Sequence, residues 1–453
     1  MSDALDVRIE WLDAPGVTTP ELAATWARYE VWVNNRCATQ VESADGTLRR
    51  SVYGSIYPLA EWIASNWWIL MSHIRPSAVE ARYWTWPNIR AYPWLSQHNF
   101  RGAGDGMAWP NLTFVAEGAV THVSWVPDNN FASKPIRFAS NGSAFIQTDA
   151  ASEGLARIVN LALERLSEEG LPKTRLAEEW DAIAKMDSEE REFCQTVARL
   201  GLDPYAVSDQ TADDVVRIAS ILPAELLADF FDSANPAALT RASDWTQRAI
   251  VAADRASDRA RSSLELLYEA VSSRLDAADD LIKSTADVDT PWTIGYAMAR
   301  RIRSRLDIED LAQFDTSPWV GLSDLSAPSN GIQGVVTVNR SRCGLALGPP
   351  RTGASMSRFG QARALGRALS HPQQRRFVLS LARGHDEKVA GAFAAELLAP
   401  AAGISQSLRL IGKSDDAAME AVARHYRVSP LLVRHQFDNQ IAGTVGRAGG
   451  NDL

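Results

Sequence analysis

The spacing of apolar residues changes along the chain, and the changes divide it. Up to about residue 150 short apolar runs alternate with Gly, Pro and Asn, the pattern of brief strands. Residues 26–42 (WARYEVWVNNRCATQVE) are aromatic and β-branched, and Ala44-Asp45-Gly46-Thr47 supplies a turn, so a hairpin is predicted. Residues 57–74 predict one helix: Pro58 suits a first turn, and Leu59, Ile63, Trp67 and Leu70 recur at helical spacing. Strands are expected at 112–115, 121–126, 136–139 and 144–147. From 151 to 284 the period becomes helical, and Leu155, Ile158, Val159, Leu161, Ala162 and Leu166 fit an amphipathic helix. Ser188 is the expected N-cap of the next helix and Gly201 its stop. Pro291 opens another helix, followed by strands at 334–339 and 344–347, two helices within 358–400, and a short helix pair within 415–439.

The expected fold class is α+β. A Trp-rich, mostly β domain covers 1–150, a helical region 151–288, an α+β module 289–412, a helix-turn-helix-like segment 413–441, and a Gly-rich tail 442–453.

Composition narrows the classes. At 453 residues, two to four domains are expected. No run of eighteen apolar residues occurs, so no membrane partner is expected. The start MSDALDVRIE lacks a basic-then-apolar leader, and Cys37, Cys194 and Cys343 form no C-x-x-C pair, which together predict a cytoplasmic protein with reduced thiols. Eleven of the 15 Trp precede residue 126, where basic residues are sparse; they are expected in a core and not on a base-stacking surface. The net charge of −9 hides a basic C-terminal part: from residue 289 there are 20 Lys and Arg against 14 Asp and Glu. Residues 325–385 hold nine Arg and no acid. That is either a solvated basic face or a site for phosphate, nucleic acid or an acidic protein.

Two stretches carry candidate chemistry outside the motif described next. Residues 97–106 (QHNFRGAGDG) are a Gly-rich polar loop in which His98, Arg101 and Asp105 suit a ligand site; a plain structural turn is the competing reading. In the last helix pair, Arg434, His435 and Gln436 are placed to face nucleic acid, or to lie on a module that only packs. There Arg427 stands at the turn, tolerable only if the turn relaxes or its φ stays negative.

The stretch 358–400 reads RFGQARALGRALSH, a gap, then DEKVAGAFAAELLAP. The first helix resembles the R-F-x-x-A-H-E-L-G-H-x-x-x-H helix of the ImmA/IrrE-type zinc metallopeptidases, through Arg358-Phe359, Leu365-Gly366 and His371. The second resembles that family's E-x-x-A-N-x-F-A-A-x-L-L-x-P helix, from Glu387 to Pro400. The likeness runs from about residue 291 to about 439. It implies a zincin-like module that ends in a helix-turn-helix-like segment, cytosolic relatives that cut repressor-type regulators, and a third-ligand place for Glu387.

The residues that do the family's chemistry are replaced. A zincin helix needs two imidazoles at i and i+4 and a Glu base between them; here the positions hold Arg363, Ala364 and Arg367. A guanidinium has no lone pair for a metal and stays charged. His371 and His385 are weak substitutes, since His371 lies two helical turns beyond Arg363, about 12 Å along the axis. No cofactor is therefore expected; zinc belongs to active relatives. If the two helices pack as in the family, a guanidinium bridges to Glu387 where the dication would sit; otherwise both arginines extend into an open cleft. The leading expectation is a pseudo-metallopeptidase that binds a protein partner, such as a repressor-type regulator, in a stress-response or mobile-element setting. A divergent metallo-endopeptidase and a DNA-binding regulator remain the alternatives.

Overall fold

Alternation of inward Ala27, Tyr29, Val31 and Val33 with outward Arg28, Glu30 and Trp32 makes residues 26–33 a two-faced strand around which the N-terminal core forms. A computed structural model describes residues 4–14, 16–74, 92–104, 106–128, 136–272, 290–326, 331–348 and 353–442. The fold is α+β. It divides into two compact units, Met1–Val215 with Ser284–Val288, and Val216–Lys283 with Asp289–Leu453. The helices expected as one region from 151 to 288 are thereby shared between the units.

The first unit holds β1 (Leu5–Trp11), α1 (Pro20–Ala24), β2 (Trp26–Val33), β3 (Arg36–Cys37), β4 (Val41–Ser43), β5 (Leu48–Arg49) and β6 (Val52–Ser55). Next come α2 (Tyr57–Ser65), α3 (Trp67–Ser72), α4 (Pro93–His98), β7 (Asn111–Glu117), β8 (Val120–Val126), β9 (Ile136–Phe138) and β10 (Gly142–Gln147). Three helices close it: α5 (Thr148–Glu168), α6 (Arg175–Lys185) and α7 (Ser188–Arg199). Strand β2 pairs antiparallel with β1, β3 and β6, while β10-β8-β7 and β5-β4-β9 form two further sheets.

Two turns shape the hairpins of this unit. The expected one, at Asp45-Gly46, joins β4 and β5, with Gly46 at φ 81° and the Asp45 carboxylate accepting from Thr47 N at 2.9 Å. The other, Asn34-Asn35, has φ 44° and 64° and closes the β2–β3 hairpin. Asn tolerates the left-handed region that such a tight turn demands. The helix expected at 57–74 is two helices broken at Asn66, whose side chain donates to Trp62 O at 2.9 Å. The N-cap of α7 is Asp187 and not Ser188: its carboxylate accepts from Glu190 N at 2.9 Å, the better acceptor for an N-terminal amide. Among the described tryptophans of the first unit, Trp62, Trp68, Trp94, Trp109 and Trp125 are buried.

In the second unit stand α9 (Ala224–Ser233), α10 (Leu239–Ser257), α11 (Glu265–Ser272) and α12 (Pro291–Arg305), after α8 (Asp209–Ile221). Then follow β11 (Val320–Asp324), β12 (Ile332–Asn339), β13 (Arg342–Leu347), α13 (Gly353–Ser370), β14 (Arg376–Ser380), α14 (His385–Leu398), α15 (Ala401–Ile411), α16 (Asp416–Tyr426) and α17 (Pro430–Gln436). The sheet runs β11-β13-β12-β14, parallel only between β11 and β13. Strand parity shows what covers it. Gly344 faces α10, for a Cβ there would sit 2.0 Å from Ala253 O, and a Cβ at Gly321 would sit 1.8 Å from Ala256 O. Cys343, Leu345 and Leu347 project from the opposite face into the core with Ala362, Ala364 and Leu365 of α13. The sheet is thus the middle of three layers.

Helix α14 approaches two neighbours closely. A Cβ at Gly366 would meet Phe393 at 2.8 Å, and one at Gly295 of α12 would meet Val389 O at 2.4 Å. Between α16 and α17, Arg427 takes φ 54°, so of the two conditions for tolerating Arg there the negative φ is not met. The left-handed residue costs about 1–2 kcal/mol, offset by local bonds. Val428 N donates to Ala423 O at 3.0 Å, and the Arg358 guanidinium donates to Tyr426 O at 2.9 Å and Arg427 O at 3.2 Å.

Candidate functional site

Arg363 and Arg367 lie one helical turn apart on α13 and therefore share a face. They take different partners. The Arg363 guanidinium bonds the Glu387 carboxylate, Gln333 Oε1 at 2.5 Å and Ser380 O at 2.7 Å. Glu387, in the first turn of α14, also accepts from Ser380 N at 2.9 Å. Both side chains are only 11% exposed, so this bridge between α13 and α14 is shielded from water.

Arg367 does not reach Glu387 with a hydrogen bond. Its side chain is 3% exposed and lies over the ring of Phe377, 5.2 Å from the centroid. One terminal nitrogen is 2.7 Å from Asp229 of α9 and the other 2.7 Å from Asp386 of α14. Three helices are thus joined through one cation. Asp386 gathers both candidate histidines as well: His371 Nε2 is 2.8 Å from its carboxylate and His385 Nδ1 3.4 Å. Ala364, between the two arginines on α13, is wholly buried in the core.

The charges shape one another. Burial works to raise the Asp386 acid, but bonds from His371 and His385 and the charge of Arg367 hold it well below the usual carboxylate range. At Asp229 burial prevails over Arg367, and the acid is raised. Burial works against the Arg367 cation, yet Asp229, Glu387 and Asp386 together raise it above its ordinary value.

These residues do not fit zinc. A zinc site needs three neutral or anionic donors and an open position; here two guanidinium groups stand among the carboxylates, and the histidines turn to Asp386. Among the described residues no group of three or more His, Cys, Asp or Glu is placed to hold a metal ion. Asp229 and Asp386 were not singled out from the sequence. Asp386 carried a signal, an acid beside Glu387 at a helix start; Asp229 carried none, being brought in by tertiary packing alone.

The other candidates are placed as follows. His98 is fully buried, stacked on Trp94 with centroids 4.3 Å apart. Its Nδ1 lies 2.9 Å from Phe114 O and its Nε2 3.2 Å from His73 Nδ1. A carbonyl only accepts, so His98 carries its proton on Nδ1 and His73 donates to Nε2. Arg101 bonds the Asp128 carboxylate and Trp109 O. Both residues hold the loop in place; Asp105 lies outside the described residues. Arg434 pairs with Asp416, and His435 is exposed. Gln436 does not face outward as expected. It is 1% exposed and donates to Glu396 at 2.9 Å, because the buried Glu396 carboxylate needs donors.

No helix among the described residues is long and apolar enough to cross a membrane. Comparison with protein-family models finds no match, and neither does comparison with curated proteins.

Proposed function

We propose that the second unit is an ImmA/IrrE-like pseudo-metallopeptidase, a cytoplasmic regulatory module that binds a protein partner without hydrolysing it. One observation carries this reading: Arg363 meets Glu387, and Arg367 meets Asp229 and Asp386, at the helix positions where the resemblance places metal ligands. A metal there would cross-link α13 to α14. The guanidinium groups supply that cross-link in protein form, and each carboxylate keeps a cationic partner, as burial requires. The scaffold can persist under selection for its shape, and the partner of choice is a repressor-type regulator of the kind that active relatives cut.

The test combines metal analysis with a cleavage assay. Purified protein is equilibrated with zinc, dialysed and measured by mass spectrometry of its metals. It is then incubated with repressor-type regulators with and without chelator. The expected result is zinc far below one equivalent, and a regulator retained intact on the immobilised protein. Stoichiometric zinc, together with chelator-sensitive cleavage lost in Glu387→Ala, would establish the divergent peptidase instead.

A further inference from the structure

Strand β14 is an edge of its sheet, yet two of its outward backbone donors, Val378 N and Ser380 N, are engaged. Leu381 N donates to Gly331 O, and Arg375 O accepts from Val338 N, so these two groups face β12. Val378 and Ser380 have the alternate parity and point their N–H groups away from the sheet. Val378 N donates to Asp229 of α9 at 3.2 Å, and Ser380 N to Glu387 of α14 at 2.9 Å. At the approach to the strand, Arg375 N donates to Glu225 of α9 at 3.0 Å. Three carboxylates from two helices therefore meet one strand's backbone. Arg367 and Arg363 fix the two central ones from behind.

An open edge invites another strand, from a peptide or from a second copy of the chain, and proteins commonly blunt it with charge or a covering element. We propose that Asp229 and Glu387 are an edge guard: by accepting the N–H groups of Val378 and Ser380, they prevent another chain from adding a strand along that part of β14. The arginines that displace the metal chemistry then have a second role, to hold the guard carboxylates in register. An extended segment cannot reach the Val378 and Ser380 amides while those carboxylates hold them. A partner of this unit is accordingly taken through a folded surface, or elsewhere than β14. The inference about the edge stands on the backbone bonds and does not depend on the pseudo-peptidase reading.

Two double variants of the full chain test it. Asp229→Ala/Glu387→Ala removes the acceptors. Asp229→Asn/Glu387→Gln removes the charge but leaves an amide oxygen to accept. Hydrogen exchange is followed in the peptide covering residues 375–381, and mass in solution is measured by light scattering across a range of concentrations. The alanine variant is expected to exchange at least about tenfold faster in that peptide and to self-associate as concentration rises. The amide variant is expected to keep wild-type mass and most of the protection. A folded alanine variant with wild-type exchange and mass overturns the guard. So does an amide variant as unprotected as the alanine one, since charge and not the acceptor would then be at work. If the alanine variant does not fold, the amide variant decides by the same criterion, and Asp229→Ala alone must expose Val378 selectively.

Discussion

Two single residues show how burial sets the consequence of a charge. Arg367 is enclosed, and its loss strands two carboxylates that it holds together. Because both partners keep some contact with water, Arg367→Met is expected to cost about 3 kcal/mol, the lower end for a broken buried pair. Arg363→Lys is milder, about 1–2 kcal/mol, since one ammonium cannot serve Glu387, Gln333 and the Ser380 carbonyl together. Urea unfolding of both variants should give that order. In the first unit His73 supplies a pH prediction. Burial lowers its pKa from 6.5 to about 4, so between those values the unfolded chain binds the extra proton. Stability is complete above about pH 6.5 and is lost as pH falls toward 4, by about 3 kcal/mol at most. His73→Gln should flatten that limb of the urea midpoint against pH. An unchanged slope would mean that the His73–His98 pair does not control it.

At the scale of elements, steric approach outweighs helix propensity. Ala is the better helix former by about 1 kcal/mol, so Gly295→Ala would stabilise an isolated α12. In the folded unit the added Cβ would lie 2.4 Å from Val389 O and 2.7 Å from Phe393 N, both backbone atoms that cannot swing aside. The variant is expected to lose about 1–3 kcal/mol, seen as a lower thermal midpoint, with Gly295→Ser no better. The same contrast explains what the sequence made legible. Helices α5 and α12 announce themselves by periodic patterns, α13 and α14 are expected from the residues that carry the resemblance, and the sharing of one face by Arg363 and Arg367 follows from spacing alone. The strands β11 and β14 did not. Each has five residues, one interrupted by Gly321 and the other set between Arg-rich polar turns, so neither displays an alternating face. The Asn34-Asn35 turn was hidden because two consecutive left-handed residues are a property of pairing, not of either Asn. Gln436 was misplaced because the demand for its amide comes from Glu396, forty positions upstream on another helix.

At the scale of the molecule, the second unit begins at Val216, well upstream of α12. Its sheet has α13 over one face and α10 over the other, where Gly344 and Gly321 admit the α10 backbone. Trp245 of α10 and Phe230 and Phe231 of α9 are buried in the same unit. Asp229 of α9 completes the arginine cluster, and Glu225 of α9 meets the approach to β14. A chain cut just before α12 therefore loses one covering layer of the sheet, a partner of Arg367 and part of the edge closure together. Burying an aromatic side chain of this size contributes about 1.5–3 kcal/mol, so the loss of these three removes about 5–9 kcal/mol, comparable with the roughly 5–15 kcal/mol by which a domain is ordinarily stable. Residues 216–453 are expected to express as a soluble, cooperatively unfolding protein, whereas residues 289–453 should aggregate or remain unfolded. Circular dichroism and light scattering on the two chains decide between them. A soluble, cooperative shorter chain would mean that α9 and α10 are accessories and not part of the fold that positions the site.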